Sequence, residues 1–328
     1  MITIRQATPR DIRPALALAL RVFTEYDAPG FLPEALVKFT AEIHATIENP
    51  AMYLAGERLL FVALDGKKVV GVVAERWGNG HISMVFVDGA YHRRGIATRL
   101  LHRTICEMKL RGYDKITLFS SPYGLPFYLH FGFKATDVEQ QKDGFVFTPM
   151  AYTPGEIWDV LDADGNKTGR YHERGRKMAT GDYHLVVHVW KHNGRGEWLI
   201  DRRALERGTS IDGKWETTGG SALAGDDSLT AALRETKEEL GLALDPQKGK
   251  MFCRVMRHGK DGRTWFQDAW VFEHDCLIEA VKFQENETCD AKWATAGQIR
   301  EMIKRGEFLD EWFYPYFDDM MKTFEHIK

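Results

Sequence analysis

Three carboxylates, Glu235, Glu238 and Glu239, stand at i, i+3 and i+4 in the stretch SLTAALRETKEELGL that begins at Ser228. On a helix that spacing puts all three on one face. There they repel one another unless a cation sits among them, and a hard divalent ion with oxygen ligands is the usual remedy. The competing reading is a solvated acidic face with Arg234 and Lys237 as casual partners. A second concentration is basic. The run Ile82 to Val87 passes through Asp88-Gly-Ala-Tyr-His92 into Arg93-Arg94-Gly95-Ile96-Ala97, and a helical pattern follows from about Thr98 to Arg111. Successive backbone N–H groups in such a glycine-containing turn, at a helix N-terminus, bind phosphate, and the arginines add charge complementarity. Taken alone, the segment reads more readily as an ordinary strand-to-helix turn.

The elements that must position these groups fall into two sets. A chain of 328 residues exceeds the roughly 250 at which one hydrophobic core stops growing. The two prolines and the glycine of Phe147 to Gly155 read as a linker, which divides the chain into residues 1–150 and 154–328. In the first part, Leu59 to Leu64 and Val69 to Ala74 flank Asp65-Gly66-Lys67-Lys68 as a hairpin, and Ile82 to Val87 is a third strand. In the second, Ile157 to Leu161, Tyr183 to Trp190, Trp198 to Asp201, Thr264 to Glu273 and Ala291 to Ala294 read as strands, with closing helices over Gly297 to Arg305 and Glu311 to Phe324. Asp226, Asp227 or Ser228 would cap the carboxylate helix, Gly241 would end it, and Leu229, Leu233, Thr236 and Leu240 would form its buried stripe.

Composition narrows the function classes. A formal net charge of -3 supplies no basic field for a nucleic-acid backbone. Cys106, Cys253, Cys276 and Cys289 form no CxxC pair or cysteine-histidine cluster, so neither a disulfide framework nor a zinc site is expected. No leader pattern opens the chain and no segment is long and apolar enough to span a membrane. The expectation is a cytoplasmic protein acting on small molecules.

The stretch Gly220 to Leu242, GSALAGDDSLTAALRETKEELGL, resembles the Nudix box: glycine, five residues, an acid, seven residues, then Arg-Glu-U-x-Glu-Glu-x-Gly-U, with U aliphatic. Asp226 stands where the family usually has Glu, and Thr236 replaces an aliphatic residue. The resemblance implies an α/β/α sandwich whose helix holds one to three magnesium or manganese ions against a diphosphate. Glu235, Glu238 and Glu239 would be the metal ligands and Arg234 would orient them. The ions would neutralise phosphate charge and activate a water. Glu285 and Glu287 are candidates to take the water's proton, beside the plainer reading of exposed loop carboxylates. Residues 156–165, 181–190 and 215–220 look like the Nudix branch related to isopentenyl-diphosphate isomerase. That isomerase needs a cysteine nucleophile and histidine metal ligands. Thr217 and Thr218 occupy the stretch where the cysteine would be sought, so hydrolysis is preferred over isomerisation.

The basic loop resembles motif A of the GNAT acetyltransferases, Gln/Arg-x-x-Gly-x-Gly/Ala, with His92 as a departure. Ser121 to Phe133 and Gln140 to Met150 are similar to the last helix and strands of that fold, and Thr3 to Ala7 with Asp11-Ile-Arg fits its start. The resemblance implies a mixed sheet flanked by helices. Its loop amides, at Arg93, Arg94, Gly95, Ile96 and Ala97, would hold the pyrophosphate of acetyl-CoA. Tyr128 matches a tyrosine that often protonates the departing thiolate, and a core aromatic is the equal alternative. Glu75 is a candidate base for the acceptor amine of a small molecule or peptide, and Glu25 to Phe31 would shape its site. The leading expectation is a two-domain α+β and α/β enzyme: a Nudix hydrolase of a nucleotide-type or other diphosphate, fused to an N-acetyltransferase. The alternatives are one silent half, or a regulatory protein that senses acetyl-CoA or binds a nucleotide without cutting it.

Overall fold

The computed structural model describes every residue except 1, 77, 207, 260–261 and 325–328, in two compact units, Met1–Gly155 and Glu156–Lys328. In the first, β1 (Ile2–Gln6) leads into α1 (Pro9–Val22), α2 (Pro33–Glu48) and the short α3 (Ala51–Leu54). The hairpin β2 (Leu60–Asp65) and β3 (Lys68–Glu75) turns at Gly66, with φ 58. Strand β4 (His81–Val87) runs into α4 (Ile96–Leu110), followed by β5 (Ile116–Ser120), α5 (Leu125–Phe131), β6 (Lys134–Ala135), β7 (Gln140–Lys142) and β8 (Phe145–Tyr152). The sheet order is β1-β2-β3-β4-β5-β8-β6, with β7 on β8.

The central strands are buried on both faces, which is why they read as continuous apolar runs. Phe61, Ala63 and Val73 pack with α4, whereas Leu60, Val62 and Val72 pack with α1 and α2. Among the described residues of this sheet only β4–β5 is parallel, and it pairs at just two positions, His81 with Thr117 and Ile82 with Leu118.

The expected linker from Phe147 is corrected by β8. This strand pairs with β5 from Ile116↔Tyr152 to Ser120↔Thr148, and only residues 153–156 carry no regular structure before the next strand. Pro149 fits because it forfeits only a donor, while its carbonyl accepts from the Thr136 N–H at 2.9 Å.

The second unit opens with a two-stranded sheet, β9 (Ile157–Leu161) and β10 (Lys167–Glu173). Its main sheet contains β11 (His184–His192), β12 (Glu197–Arg203), β13 (Trp215–Glu216), β14 (Thr218–Ser221), β15 (Gly249–His258), β16 (Thr264–Glu273) and β17 (Thr288–Thr295). The order is β13-β12-β11-β16-β15, with β14 on β11 and β17 on β12. Helix α6 (Ser228–Leu240) packs over Val187 and Val189, while α7 (Ala296–Lys304) and α8 (Phe317–Phe324) pack over Trp190 and Trp198. Alternation along β11 thus serves two helical layers.

Two expectations are adjusted. The last helix starts at Phe317, not Glu311, since Pro315 disfavours helical backbone at the residue before it. The buried stripe of α6 is Ala231, Ala232, Thr236 and Leu240, with Leu229 and Leu233 only half-buried. Alanines there let the helix approach the sheet closely.

Burial pushes the His184 imidazole down to about 4 and that of His188 to about 3. Both are therefore neutral when folded, and the unfolded chain takes up protons first as pH falls through 6.5. Their stabilising contribution is full above that value and is lost on acidification toward pH 4. The Glu235 and Glu239 carboxyls, raised by burial, titrate in the opposite sense, so the histidine contribution is read as a difference: between pH 7.5 and pH 4.5 the parent should lose about 2 kcal/mol more urea stability than His188→Gln. The same pH dependence in the two proteins would contradict the neutral burial of His188.

Candidate active sites

The carboxylate helix is started by Asp227, whose side chain accepts from the Thr230 N–H, and stopped by Gly241 at φ 68. Between them Arg234 reaches in four directions. Its Nη1 donates to Glu235 and to Glu238, each at 3.0 Å, its Nη2 to the Ser221 carbonyl at 3.0 Å, and its Nε to Asp226 at 3.1 Å. The shorter acid at 226 therefore still meets the guanidinium, and it also accepts from the Leu223 N–H. Arginine's planar fork makes this cross-bracing available, which a lysine could not match.

Glycine at 220 is required by Glu235. A Cβ at Gly220 would stand 2.3–2.4 Å from that carboxyl group. Since the obstructed atoms end a flexible side chain, Gly220→Ala should leave the melting temperature nearly unchanged while displacing Glu235. Diphosphate hydrolysis should fall roughly tenfold or more. Unchanged steady-state rates would show that Glu235 stands outside the reaction.

The electrostatics favour a cation among these groups. Burial pushes the Glu235 carboxyl up to about 7 in spite of Arg234. The Glu239 carboxyl is raised well above the usual range by burial and then by the charges of Asp201, Glu216 and Glu235. Glu238 is exposed. Oxygen-only donors with buried negative charge fit a magnesium-class ion. Among the described residues no three His, Cys, Asp or Glu side chains already converge to chelating distance, so holding an ion requires the carboxylates to re-aim around Arg234.

Behind Glu239 lies a network that sequence reading missed. Lys191 on β11 is fully buried and donates to the Thr218 hydroxyl at 2.5 Å. Thr218 donates to Asp201 at 2.8 Å, and Lys191 stands 3.9 Å from the same carboxylate. Glu216 pairs with Arg203 at 2.7 Å. The visible signal was a charge inside an apolar strand, Lys191 after Val-His-Val-Trp and Asp201 after Trp-Leu-Ile. Thr217 is likewise engaged, donating to the Val189 carbonyl at 2.6 Å. The loop carrying Glu285 and Glu287 touches α6 through its backbone, with the Gln284 N–H donating to the Glu239 carbonyl at 3.1 Å.

In the first unit, Gly95 adopts φ 71 as the N-cap of α4, and Arg93 also has positive φ, at 60. Arg93, Arg94 and Gly95 are exposed. Ile96 is 2% exposed, its side chain in the core, so it offers only its N–H to a ligand. His92 is bonded through Nε2 to the Val87 carbonyl at 2.8 Å, which ties the loop to β4. Tyr128 packs beside Phe127 and Phe133. Its phenol is raised by burial and then by the charge of Asp27, so it stays protonated. Glu75 is not presented to an acceptor: it is wholly buried and accepts from the Leu59 and Gly80 N–H groups. Asp27, bonded by the Ser121 hydroxyl and raised by burial, lies nearer Tyr128.

Residues 27–154 match the acetyltransferase (GNAT) domain family and residues 182–317 the NUDIX domain family. An uncharacterized Nudix hydrolase of Listeria monocytogenes is 34% identical over 163 residues, covering 49% of this chain and 90% of that protein. Nudix hydrolase 3 of Arabidopsis thaliana is 31% identical over 169 residues, 49% of this chain and 22% of its own length. An isopentenyl-diphosphate Delta-isomerase of Shigella flexneri is 31% identical over 88 residues, 26% of this chain and 48% of that one. The chain belongs to the Nudix hydrolases and carries a GNAT acetyltransferase domain ahead of the Nudix domain. It is an enzyme, and no helix among its described residues is long and apolar enough to cross a membrane.

Proposed function

We propose that the second domain hydrolyses the diphosphate linkage of a small molecule with the help of magnesium or manganese, and that the first acetylates an amine from acetyl-CoA. The observation that carries the hydrolase reading is Arg234 bridging Glu235 and Glu238 while it holds Asp226 and the Ser221 carbonyl. Glu235, Glu238 and Glu239 would hold the ion, which supplies charge neutralisation at the phosphoryl oxygens and acidifies a bound water. Arg234 keeps two of these carboxylates in place, and the buried Lys191–Thr218–Asp201 network backs Glu239 from the sheet side.

In the acetyltransferase, the amides of residues 93–97 at the start of α4 receive the pyrophosphate. The neutral amine attacks the thioester carbonyl, the carbon–sulfur bond breaks, Tyr128 gives its proton to the departing thiolate, and the proton lost by the amine nitrogen returns to the phenolate through solvent. A panel of nucleotide sugars, dinucleotides, nucleoside triphosphates and prenyl diphosphates with magnesium, scored by phosphate and pyrophosphate release, tests the first activity. No release from any member would overturn it.

The two domains, residues 1–150 and 154–328, are proposed to fold independently. Because β8 pairs as far as Tyr152, fragments cut at 155/156 preserve it. Each should be soluble and unfold in one cooperative transition by circular dichroism. Aggregation of both fragments would show that each needs the other.

A further inference from the structure

A cavity of about 360 Å³ in the second domain is lined by Trp158, His172, Arg174, Arg176, His184 and Arg263, among others. Two of its lining side chains are more than nine-tenths buried and carry polar atoms without a partner, the Trp158 Nε1 and the His184 Nδ1. Their rings are stacked, with centroids 4.4 Å apart and planes at 12°, so the two side chains form one continuous stretch of the lining. An unpartnered buried donor or acceptor is costly, and in a polar cavity it marks a place where a ligand completes the bonding.

The chemistry of the wall selects the ligand. Trp158 offers an N–H donor, Arg174 offers a guanidinium group whose five donors a single ion pair does not exhaust, and Arg176 adds positive charge. Arg174 pairs with the exposed Glu156 at 3.0 Å, and Arg176 is aimed by Glu173, itself 1% exposed, at 2.7 Å. Guanidinium groups with an added N–H suit a carboxylate or a phosphate, and of the two only a phosphate can carry a proton as a donor for His184 Nδ1 and still keep a negative charge. A hydrocarbon tail here would leave both buried atoms unpaired.

The cavity is tied to the carboxylate site. Trp158 and Glu156 flank Ile157, whose carbonyl accepts from the Ala224 N–H at 2.7 Å, and Asp159 accepts from the Gly225 N–H at 2.9 Å. Both donors lie in the loop that leads from Gly220 into α6.

We propose that this cavity binds a phosphate monoester, and that the monoester is the far end of the diphosphate substrate, so that the enzyme prefers diphosphates bearing one further phosphate. The inference rests on the hydrolase reading for its substrate half only. The test uses the full-length protein with paired probes that differ by one phosphate monoester, NADP and NAD, and compares kcat/KM. The phosphorylated member should be favoured roughly tenfold or more, and Trp158→Phe and Arg174→Gln should each collapse that ratio toward one. A ratio near one in the parent, or one that survives in both variants, overturns the proposal, including the case in which free phosphate alone binds. Should neither probe be turned over, calorimetric titration of the metal-free protein with inorganic phosphate decides. Both variants leave the Arg93–Ala97 loop intact, so weaker binding in each supports the cavity, and equal binding in parent and variants overturns it. Arg174, exposed on the surface, is the safeguard should Trp158→Phe fold poorly.

Discussion

Glu238→Gln should lower diphosphate hydrolysis by roughly a hundredfold or more and weaken magnesium binding, with the fold unchanged. Glu238 is exposed and its bond from Arg234 is 3.0 Å long, an interaction worth about 1 kcal/mol at most at such a site. Gln preserves size and helix propensity but removes the charge that a hard cation needs, and even supporting groups around a metal are worth about ten- to a hundredfold. Steady-state rates of both proteins with magnesium varied, beside their thermal melts, check this. Full activity in the variant would leave only the solvated-face reading of α6.

Gly95→Asp should abolish most coenzyme A binding, by roughly a hundredfold, while the first domain stays folded. A Cβ at Gly95 meets nothing within 4 Å. Aspartate is one of the residues that tolerates the left-handed backbone found there. Its charge even favours a helix N-terminus, so the fold loses little. The same charge repels a pyrophosphate approaching those N–H groups. Gly95→Ala, which adds only backbone strain of about 1–2 kcal/mol, should retain most of the affinity. Calorimetry on the three proteins separates the outcomes, and equal binding in all three would place the coenzyme elsewhere.

How much was legible in the chain depended on how local the physics was. Strands such as Thr264–Glu273 and the hairpin at Gly66 announce themselves through apolar runs and turn residues. The carboxylate helix does so through spacing and its stop at Gly241. The end of Phe145–Tyr152 was obscured to composition because Pro149 resembles punctuation, although the family resemblance reached Met150, and the strand's place beside β5 is decided by partners distant in the chain. Gly249–His258 lacks a continuous apolar run because β15 lies at the sheet's edge, with many exposed residues. At the candidate site, the carboxylates and Arg234 lie within five positions and could be read together. Lys191, Asp201 and Thr218 come from three strands and meet only after folding, so no spacing rule connects them. Glu75 shows the reverse error: a carboxylate in a strand looked chemical, yet its work is to receive two backbone N–H groups.

The fourfold reach of Arg234 bears on how such a protein comes into being. Domains whose metal supplies the folding energy remain unstructured until the ion arrives. Here a resident guanidinium already ties the entry loop to α6 and offsets part of the negative charge. On the proposed hydrolase reading, synthesis and maturation are thereby decoupled from ion supply: a newly made chain would complete its architecture during scarcity and begin work once the proposed magnesium or manganese arrived.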